Sequence, residues 1–313
     1  MRLLITGGAG CLGSNLIEEF LAQGDEILVI DNFTTGSREA LAALPRLEIV
    51  DGTIADRELV DAAFTRFAPT HVIHSAASYK DPNDWREDVA TNVTGTINTI
   101  EAARRLGVER FVYLQTALCY GRPERVPIPV EHPTRPFTSY GISKTAGEAY
   151  LAISELPWVS LRLANITGPR LAIGPIPTFY KRLKGGQKCF CTDTVRDFVD
   201  ISDFLALMRI VLCDDAPTGI FNVSTGEGHT IAEVFNTIAA CLGITLPQPV
   251  PIVPPAADDI PAVVLDPSRT RAALGWRAEL GLSESITRMV RWYDTYGVAA
   301  IHSHLRPPPA GKL

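Results

Sequence analysis

Several things are scarce in this chain of 313 residues. Positive charge is not in excess: 29 Lys and Arg stand against 35 Asp and Glu, a formal charge of −6, with both signs spread along the sequence. That pattern argues against a nucleic-acid or membrane-surface partner. An acidic protein that binds an anionic ligand must place individual cations for it. No apolar run reaches membrane-spanning length, and the first residues enter the fold at once. Neither a transmembrane segment nor a signal peptide is expected, and a cytoplasmic location is. The six cysteines are scattered and the six histidines do not cluster. No metal site is expected, and the cysteines read as reduced, mostly buried thiols. Cys189-Phe190-Cys191 has the alternation of a strand. There is no internal repeat. The length suffices for a large core in one or two domains.

What is present begins at residue 3. Leu3-Leu4-Ile5-Thr6 is a short apolar run that breaks into Gly7-Gly8-Ala9-Gly10-Cys11-Leu12-Gly13. A helical pattern follows from Ser14 to Gln23, then the apolar run Ile27-Leu28-Val29-Ile30 ending at Asp31. A helix that starts right after a strand directs bare N–H groups and a positive dipole end at the turn. Glycines let a pyrophosphate approach the backbone. An acid about 20 residues on suits an adenosine ribose and repels a 2′-phosphate, so the predicted cofactor is NAD rather than NADP.

The alternation continues: strand Leu47–Val50, helix Arg57–Phe67, strand His71–His74, a long helical pattern Asp84–Leu106, strand Arg110–Leu114, helix Ser139–Ser154, strand Trp158–Arg162. This predicts an α/β, Rossmann-type doubly wound parallel sheet covered on both faces, with ligands outside the carboxyl ends of the strands. Near Gly168 the regularity stops. Residues 174–190 read as loop, helix and short strand, Phe198–Leu212 as helix, Ile220–Val223 as strand, and Ile231–Leu242 as helix. Pro247–Pro261 reads as extended loop, and Ser268–Leu274 and Ser283–Tyr296 as helices. The expected organisation is a nucleotide-binding domain over 1–168, to which 198–223 return. A smaller, mixed α/β C-terminal substrate domain spans 169–301, with a frayed tail over 302–313.

Tyr140-Gly141-Ile142-Ser143-Lys144 places a phenol and an ammonium at i and i+4, on one face of a helix. A cation there favours the phenolate and lowers a pKa that is about 10 unperturbed, so the phenol exchanges a proton near neutral pH. The spacing alone also fits a helix-start tyrosine and a solvated lysine.

Together these segments resemble the extended short-chain dehydrogenase/reductase family, the NAD-dependent nucleotide-sugar epimerases and dehydratases, over nearly the whole chain. Residues 6–13 resemble its Gly-x-x-Gly-x-x-Gly turn, and Asp51-Gly52-Thr53-Ile54 its adenine-contacting stretch, with Thr53 where an acid is usual. His74-Ser75-Ala76-Ala77 resembles the strand under the cofactor, and Asn92–Thr96 the segment after it. Gln115–Gly121 resembles its Ser-Ser/Thr-x-x-x-Tyr-Gly strand end; Leu161–Arg170 and Arg196–Val199 resemble its two substrate-domain signatures. Residues 78–85 with Gln115–Gly121 are especially similar to sugar epimerases of O-antigen (lipopolysaccharide) gene clusters.

The resemblance implies roles. Gly7, Gly10, Cys11, Leu12, Gly13, Asp31, Asn32, Thr53, Ile54, His74, Ala76, Ala77, Asn92, Tyr140 and Lys144 would hold NAD. Thr116, Tyr140 and Lys144 would be catalytic: Thr116 bonds the reacting hydroxyl, Tyr140 is the acid/base, and Lys144 holds the nicotinamide ribose while tuning Tyr140. Thr116, Asn165, Phe190, Arg196 and Lys80 would bind substrate, Asn165 and Arg196 at the nucleotide diphosphate. Arg196 alternatively fits a surface pair with Asp193 or Asp197, and Phe190 fits either a base-stacking role or plain core.

The dehydratases carry Asp-Glu directly after the threonine; here stand Ala117 and Leu118, which transfer no proton. An epimerase needs no further acid. C4 epimerisation of a UDP-sugar is the first choice, with C2, C3 or another carbon as alternatives. A UDP-uronate decarboxylase or a net oxidoreductase would use the same keto intermediate, and a degenerate member would bind NAD without turnover. Lys80, with Trp85, suits a carboxylate or carboxamide at C6, hence a uronic acid; a solvated lysine is the alternative. Ala256-Ala257-Asp258-Asp259 replaces a common Arg-Pro-Gly-Asp, removing an arginine that helps bind the nucleotide. The helices at 84–106 and 139–154 correspond to those that pair in dimeric relatives, so a homodimer is expected.

Overall fold

The structure is a computed structural model that describes residues 1–41, 44, 46–79, 81–256 and 259–298. The frayed tail expected over 302–313 therefore lies outside the described residues.

In chain order, β1 (Arg2–Thr6) leads through the glycine turn into α1 (Cys11–Ala22), then β2 (Glu26–Asp31), β3 (Leu47–Asp51), α2 (Arg57–Phe67) and β4 (His71–His74). After β4 come α3 (Trp85–Asp88), a π-helical segment over Val89–Gly95, and α4 (Thr96–Leu106). Then follow β5 (Arg110–Thr116), α5 (Ser139–Ala152) and β6 (Trp158–Leu163). The chain next forms β7 (Asn165–Thr167), α6 (Pro175–Lys184), β8 (Cys191–Thr192), β9 (Val195–Arg196), β10 (Phe198–Asp200) and α7 (Ile201–Val211). It ends with β11 (Gly219–Val223), β12 (His229–Thr230), α8 (Ile231–Cys241), β13 (Ile252–Val253), β14 (Ala262–Val263), α9 (Ser268–Leu274) and α10 (Leu282–Tyr296).

Seven parallel strands form one sheet in the order β11-β6-β5-β4-β1-β2-β3. This is the Rossmann-type architecture predicted from the alternation. Strand alternation builds its two cores. Leu3 and Ile5 of β1 pack with α1 and α7 on one face, while Leu4 packs with Val60, Phe64 and Leu151 on the other. The strand order reverses between β1 and β4, so a crevice opens at their carboxyl ends. A third core joins α6, α8 and α10, among them Phe179, Phe235 and Tyr293.

Some elements differ from expectation. Phe198–Leu212 is not one helix: Phe198–Asp200 pairs in parallel with β7, and the helix starts at Ile201. Asp200 is the reason. Its carboxylate accepts the Ser202 N–H at 2.9 Å and caps a new helix there. The pattern over Asp84–Leu106 is interrupted by the π segment that carries Asn92, an irregularity typical of functional sites. Only Cys191 of the Cys-Phe-Cys run is in a strand, and Ile252-Val253 pairs with it inside the proline-rich loop. All six cysteines are free, but only Cys119 and Cys191 are buried; Cys11 and Cys189 are half-buried and Cys213 and Cys241 exposed, so the thiols are not mostly buried as expected. Among the described residues no helix is long and apolar enough to cross a membrane.

Candidate active site

The glycine turn sits at the carboxyl end of β1. Gly7 has φ of +69°, and a Cβ there would lie 2.6 Å from the Ala76 Cα. A Cβ on Gly13 would lie 2.4 Å from the Gly7 carbonyl oxygen and 2.5 Å from the Gly8 Cα. The helix can start this close to the strand only without side chains. Gly10 differs: its added Cβ meets only the Gly7 oxygen, at 3.5 Å, so open space lies over it. α1 has no side-chain cap and no acid in its first turn. Its N–H groups and dipole are left for an anion, which fits the pyrophosphate of NAD.

Asp31 ends β2 beside the glycine turn. It is buried, and its carboxylate accepts the N–H groups of Ala9 and Phe33, both at 2.8 Å. Burial pushes its pKa up while those two N–H groups hold it down. Asn32 is exposed and accepts the Thr34 N–H at 3.1 Å. Opposite Asp31, Asp51 on β3 bonds Arg38, whose guanidinium lies over the Phe33 ring at 3.9 Å. Thr53 accepts the Ala55 N–H, and the carbonyl of buried Ile54 accepts the Asn98 amide at 3.0 Å. Cys11 is tied to the Pro169 carbonyl, and burial pushes its thiol up to about 12, so it is inert. Leu12 packs on the sheet core.

His74 is fully buried, with Nδ1 2.9 Å from the Thr6 hydroxyl and Nε2 2.9 Å from the Thr96 hydroxyl. Burial, with Lys144 nearby, holds it neutral. Both ring nitrogens are taken, so it supports the floor of the crevice and has no polar atom to offer a cofactor. The Ala76 N–H donates to the same Thr6 hydroxyl at 3.2 Å, and Ala77 follows on the crevice loop. Asn92 is also fully buried. Its amide donates to the Ser78 carbonyl (2.9 Å) and the Ser143 hydroxyl (3.0 Å), and its oxygen accepts the Ser78 N–H (2.8 Å). It fastens the crevice loop to α5.

Thr116 ends β5, and Tyr140 lies in the first turn of α5, capped by Thr138. The Thr116 hydroxyl accepts the Leu118 N–H at 3.2 Å, and its influence on Tyr140 eases ionisation of the phenol. Burial nevertheless pushes the phenol well above its ordinary range, with Tyr79 and Asp88 adding to it. This corrects the expectation that Lys144 would dominate. Lys144 is only 1% exposed, with its ammonium nitrogen 4.0 Å from the centre of the Tyr113 ring, and burial lowers its pKa to about 7. A group that is half neutral at pH 7 lends the phenol little positive charge.

Four features escaped the sequence reading. Tyr79 stands edge-on to Tyr140 at 6.2 Å. Ser143 joins Asn92 to α5. Glu148 accepts Arg162 at 2.6 Å and the Ser160 hydroxyl at 2.5 Å in a buried pair. Glu148 lies four residues after Lys144, a spacing that held the signal. Asp88 is buried beside Tyr140.

On the substrate side, Arg196 does not pair with Asp193 or Asp197. It donates to Asp259 at 2.6 Å and to the carbonyls of Val195 and Ile260, both at 2.8 Å. Asp197 is buried and instead holds the loop at Thr225 and Gly226. Asn165 is exposed and donates to the Asp197 carbonyl at 2.9 Å. Phe190 is 7% exposed, with the Arg182 guanidinium 5.6 Å from its ring centre. Lys80 lies outside the described residues; Trp85 is 69% exposed. The acid–histidine grouping among the described residues, His71 with Glu109 and Asp214, is at the amino ends of β4 and β5, the end of the sheet away from the crevice.

A doubly wound parallel sheet with an uncapped glycine turn, an acid at the end of β2 and a Thr-Tyr-Lys set fits a dinucleotide-dependent enzyme. The chain belongs to the NAD dependent epimerase/dehydratase family, whose model matches residues 3–224. It is 63% identical to WbmG of Bordetella bronchiseptica, solved in complex with NAD and UDP, with a TM-score of 0.94 over 98% of this chain and 99% of that one. WbmH of the same organism, solved with NAD+, is 41% identical, with a TM-score of 0.89 over 95% and 99% of the two chains. The UDP-glucose 4-epimerase of Mycolicibacterium smegmatis is 31% identical over 94% of this chain and 98% of its own length.

Proposed function

We propose that this protein is an NAD-dependent nucleotide-sugar epimerase that inverts C4 of a UDP-sugar. The observation that carries the reading is Thr116 at the carboxyl end of β5, against which α5 packs with Tyr140 and Lys144 one turn apart, and no acid at 117 or 118. Bound NAD accepts a hydride from the sugar carbon and gives it back. Tyr140 takes the hydroxyl proton and later returns it, Thr116 fixes that hydroxyl, and Lys144 holds the nicotinamide ribose. The 4-keto sugar turns over between the two steps, so the hydride returns to its other face. Gly7, Gly10, Cys11, Leu12 and Gly13 receive the pyrophosphate, and Asp31 with Asn32 the adenosine ribose. Thr53 and Ile54 lie toward the adenine. Asn165 and Arg196 take the nucleotide diphosphate of the substrate, with Phe190 at the base. UDP as the nucleotide is supported by UDP in the WbmG structure and by the name of the mycobacterial relative.

The same reading divides the chain into an NAD-binding domain over 1–168, with segments of 198–223 returning, and a substrate domain over 169–301. It places the enzyme in the cytoplasm, in surface-polysaccharide assembly. It also makes the enzyme a homodimer through the helices at 84–106 and 139–154. Trp85, Val89, Ile142, Tyr150 and Ile153 are exposed apolar side chains on or at the ends of those helices.

Incubation of the purified protein with a panel of UDP-sugars in D2O tests the reaction. A returned hydride leaves ring protons in place, so a C4-epimeric product without deuterium is expected. Deuterium in the product, or loss of carbon dioxide, would overturn epimerisation.

A further inference from the structure

β5 outruns its neighbour β4. The two pair from His71 with Arg110 to His74 with Tyr113, whereas β6 accompanies β5 as far as Thr116. The last residues of β5 therefore have a strand on one side only, and their remaining polar groups need other partners. Tyr113 and Gln115, two residues apart, lie on one face of β5. Both reach α5. The Tyr113 hydroxyl donates to the Lys144 carbonyl at 2.9 Å, and the Gln115 amide nitrogen donates to the same carbonyl at 3.0 Å. The Gln115 amide oxygen turns back and accepts the Thr116 N–H at 2.8 Å. Gln115 is 1% exposed, and both ends of its amide are taken. α5 approaches closely here: a Cβ on Gly147 would lie 2.6 Å from the Tyr113 hydroxyl oxygen, and one on Gly141 would lie 3.0 Å from the Leu118 carbonyl oxygen. The bridge is particular to glutamine. The Thr116 N–H needs an acceptor, the Lys144 carbonyl takes a donor, and a primary amide offers both. Ionised glutamate keeps the acceptor and loses the donor; methionine keeps the length and loses both.

We propose that Gln115 is a positioning residue: by bridging the Thr116 backbone to the Lys144 carbonyl, it sets the spacing between the Thr116 hydroxyl and the Tyr140–Lys144 face of α5. The inference rests on the roles proposed above for Thr116, Tyr140 and Lys144. That reaction needs one sugar hydroxyl to be held by a group on β5 while a group on α5 takes its proton. The placement of the two elements then governs the rate, since a shift of about 1 Å costs about a hundredfold. Gln115 touches neither sugar nor cofactor in this role; it acts through the residues it joins.

The test compares wild type, Gln115→Met and Gln115→Glu as NAD-loaded proteins, with kcat counted per bound NAD so that misfolded molecules drop out. Gln115→Met is expected to lower kcat by about tenfold to a hundredfold, with KM for the UDP-sugar within about twofold of wild type. Gln115→Glu, which retains the Thr116 half of the bridge, falls by less. With the sugar deuterated at the inverted carbon, the isotope effect on kcat of Gln115→Met is at least as large as in wild type. A smaller one would place the loss outside the hydride step and overturn the positioning role. Hydrogen exchange of the Thr116 amide, followed by NMR, becomes about fivefold to tenfold faster in Gln115→Met and stays as in wild type in Gln115→Glu. Unchanged exchange in Gln115→Met overturns the bridge. If only Gln115→Glu folds, its kcat decides. A kcat per bound NAD within about twofold of wild type in the variant that folds overturns the role. The exchange measurement needs no substrate, so a lack of turnover on every UDP-sugar would count against the epimerase reading and leave the bridge readable.

Discussion

The Lys144 side chain lies with its nitrogen 4.0 Å from the centre of the Tyr113 ring, and the Tyr113 hydroxyl donates to the Lys144 carbonyl at 2.9 Å. One tyrosine thus holds the lysine at both ends. The ring face attracts the ammonium, but burial outweighs that attraction and lowers the lysine to about 7. Unfolded, such a lysine titrates at about 10.4. Between those values the unfolded chain binds the extra proton, so stability from this group rises with pH. Measured by urea unfolding, wild type should gain about 1 kcal/mol per pH unit relative to Lys144→Met from about pH 7.5 to about pH 9.5. Parallel curves would refute the buried, easily deprotonated lysine.

Tyr140→Phe should lower kcat by about 10²–10⁴-fold while NAD stays bound, since the phenol transfers the proton and the glycine turn holds the cofactor. Product formation assayed with a coupled dehydrogenase, alongside the NAD content of the purified variant, checks both halves. Turnover near the wild-type rate would remove Tyr140 from the acid/base role.

Two glycines of the turn should respond differently to alanine. Gly13→Ala places a Cβ 2.4 Å from a backbone oxygen, so α1 must move from β1, and a loss of about 2 kcal/mol or more is expected together with loss of NAD. Gly10→Ala meets nothing closer than 3.5 Å, so the fold survives and only NAD retention falls. Melting temperature and bound-nucleotide absorbance separate the two outcomes; equal destabilisation would contradict the geometry.

Arg162→Leu leaves Glu148 buried without its cation. The pair is 5% and 7% exposed at its side chains, where breaking one partner costs about 3–5 kcal/mol. The double variant with Glu148→Gln should recover much of that loss. Unfolding free energies for the set decide the matter.

Ile153 is 75% exposed at the end of α5. Ile153→Glu should shift a dimer toward monomer in analytical ultracentrifugation with little change in melting of the monomer. A wild-type protein that sediments as a monomer would dispose of the proposed interface.

Much of this was legible in the residues alone, where local chemistry governs. The glycine turn, the acid ending β2 and the Tyr140–Lys144 spacing depend on near neighbours in sequence. α2, β4 and α9 have the predicted bounds because period and end residues agree there. Phe198–Leu212 misled for the opposite reason: its periodicity is helical throughout, and only pairing with β7 turns three residues into a strand. What the tertiary structure decided are relations across the fold. It joined Arg196 to Asp259, placed His74 beneath the crevice between Thr6 and Thr96, and buried Asp88 on α3, which packs on α5. It also reversed the electrostatics of the site, because a pKa is set by desolvation as well as by the nearest charge. Sequence names the groups that can ionise; the burial of Tyr140 and Lys144, decided by tertiary packing, sets how readily they do.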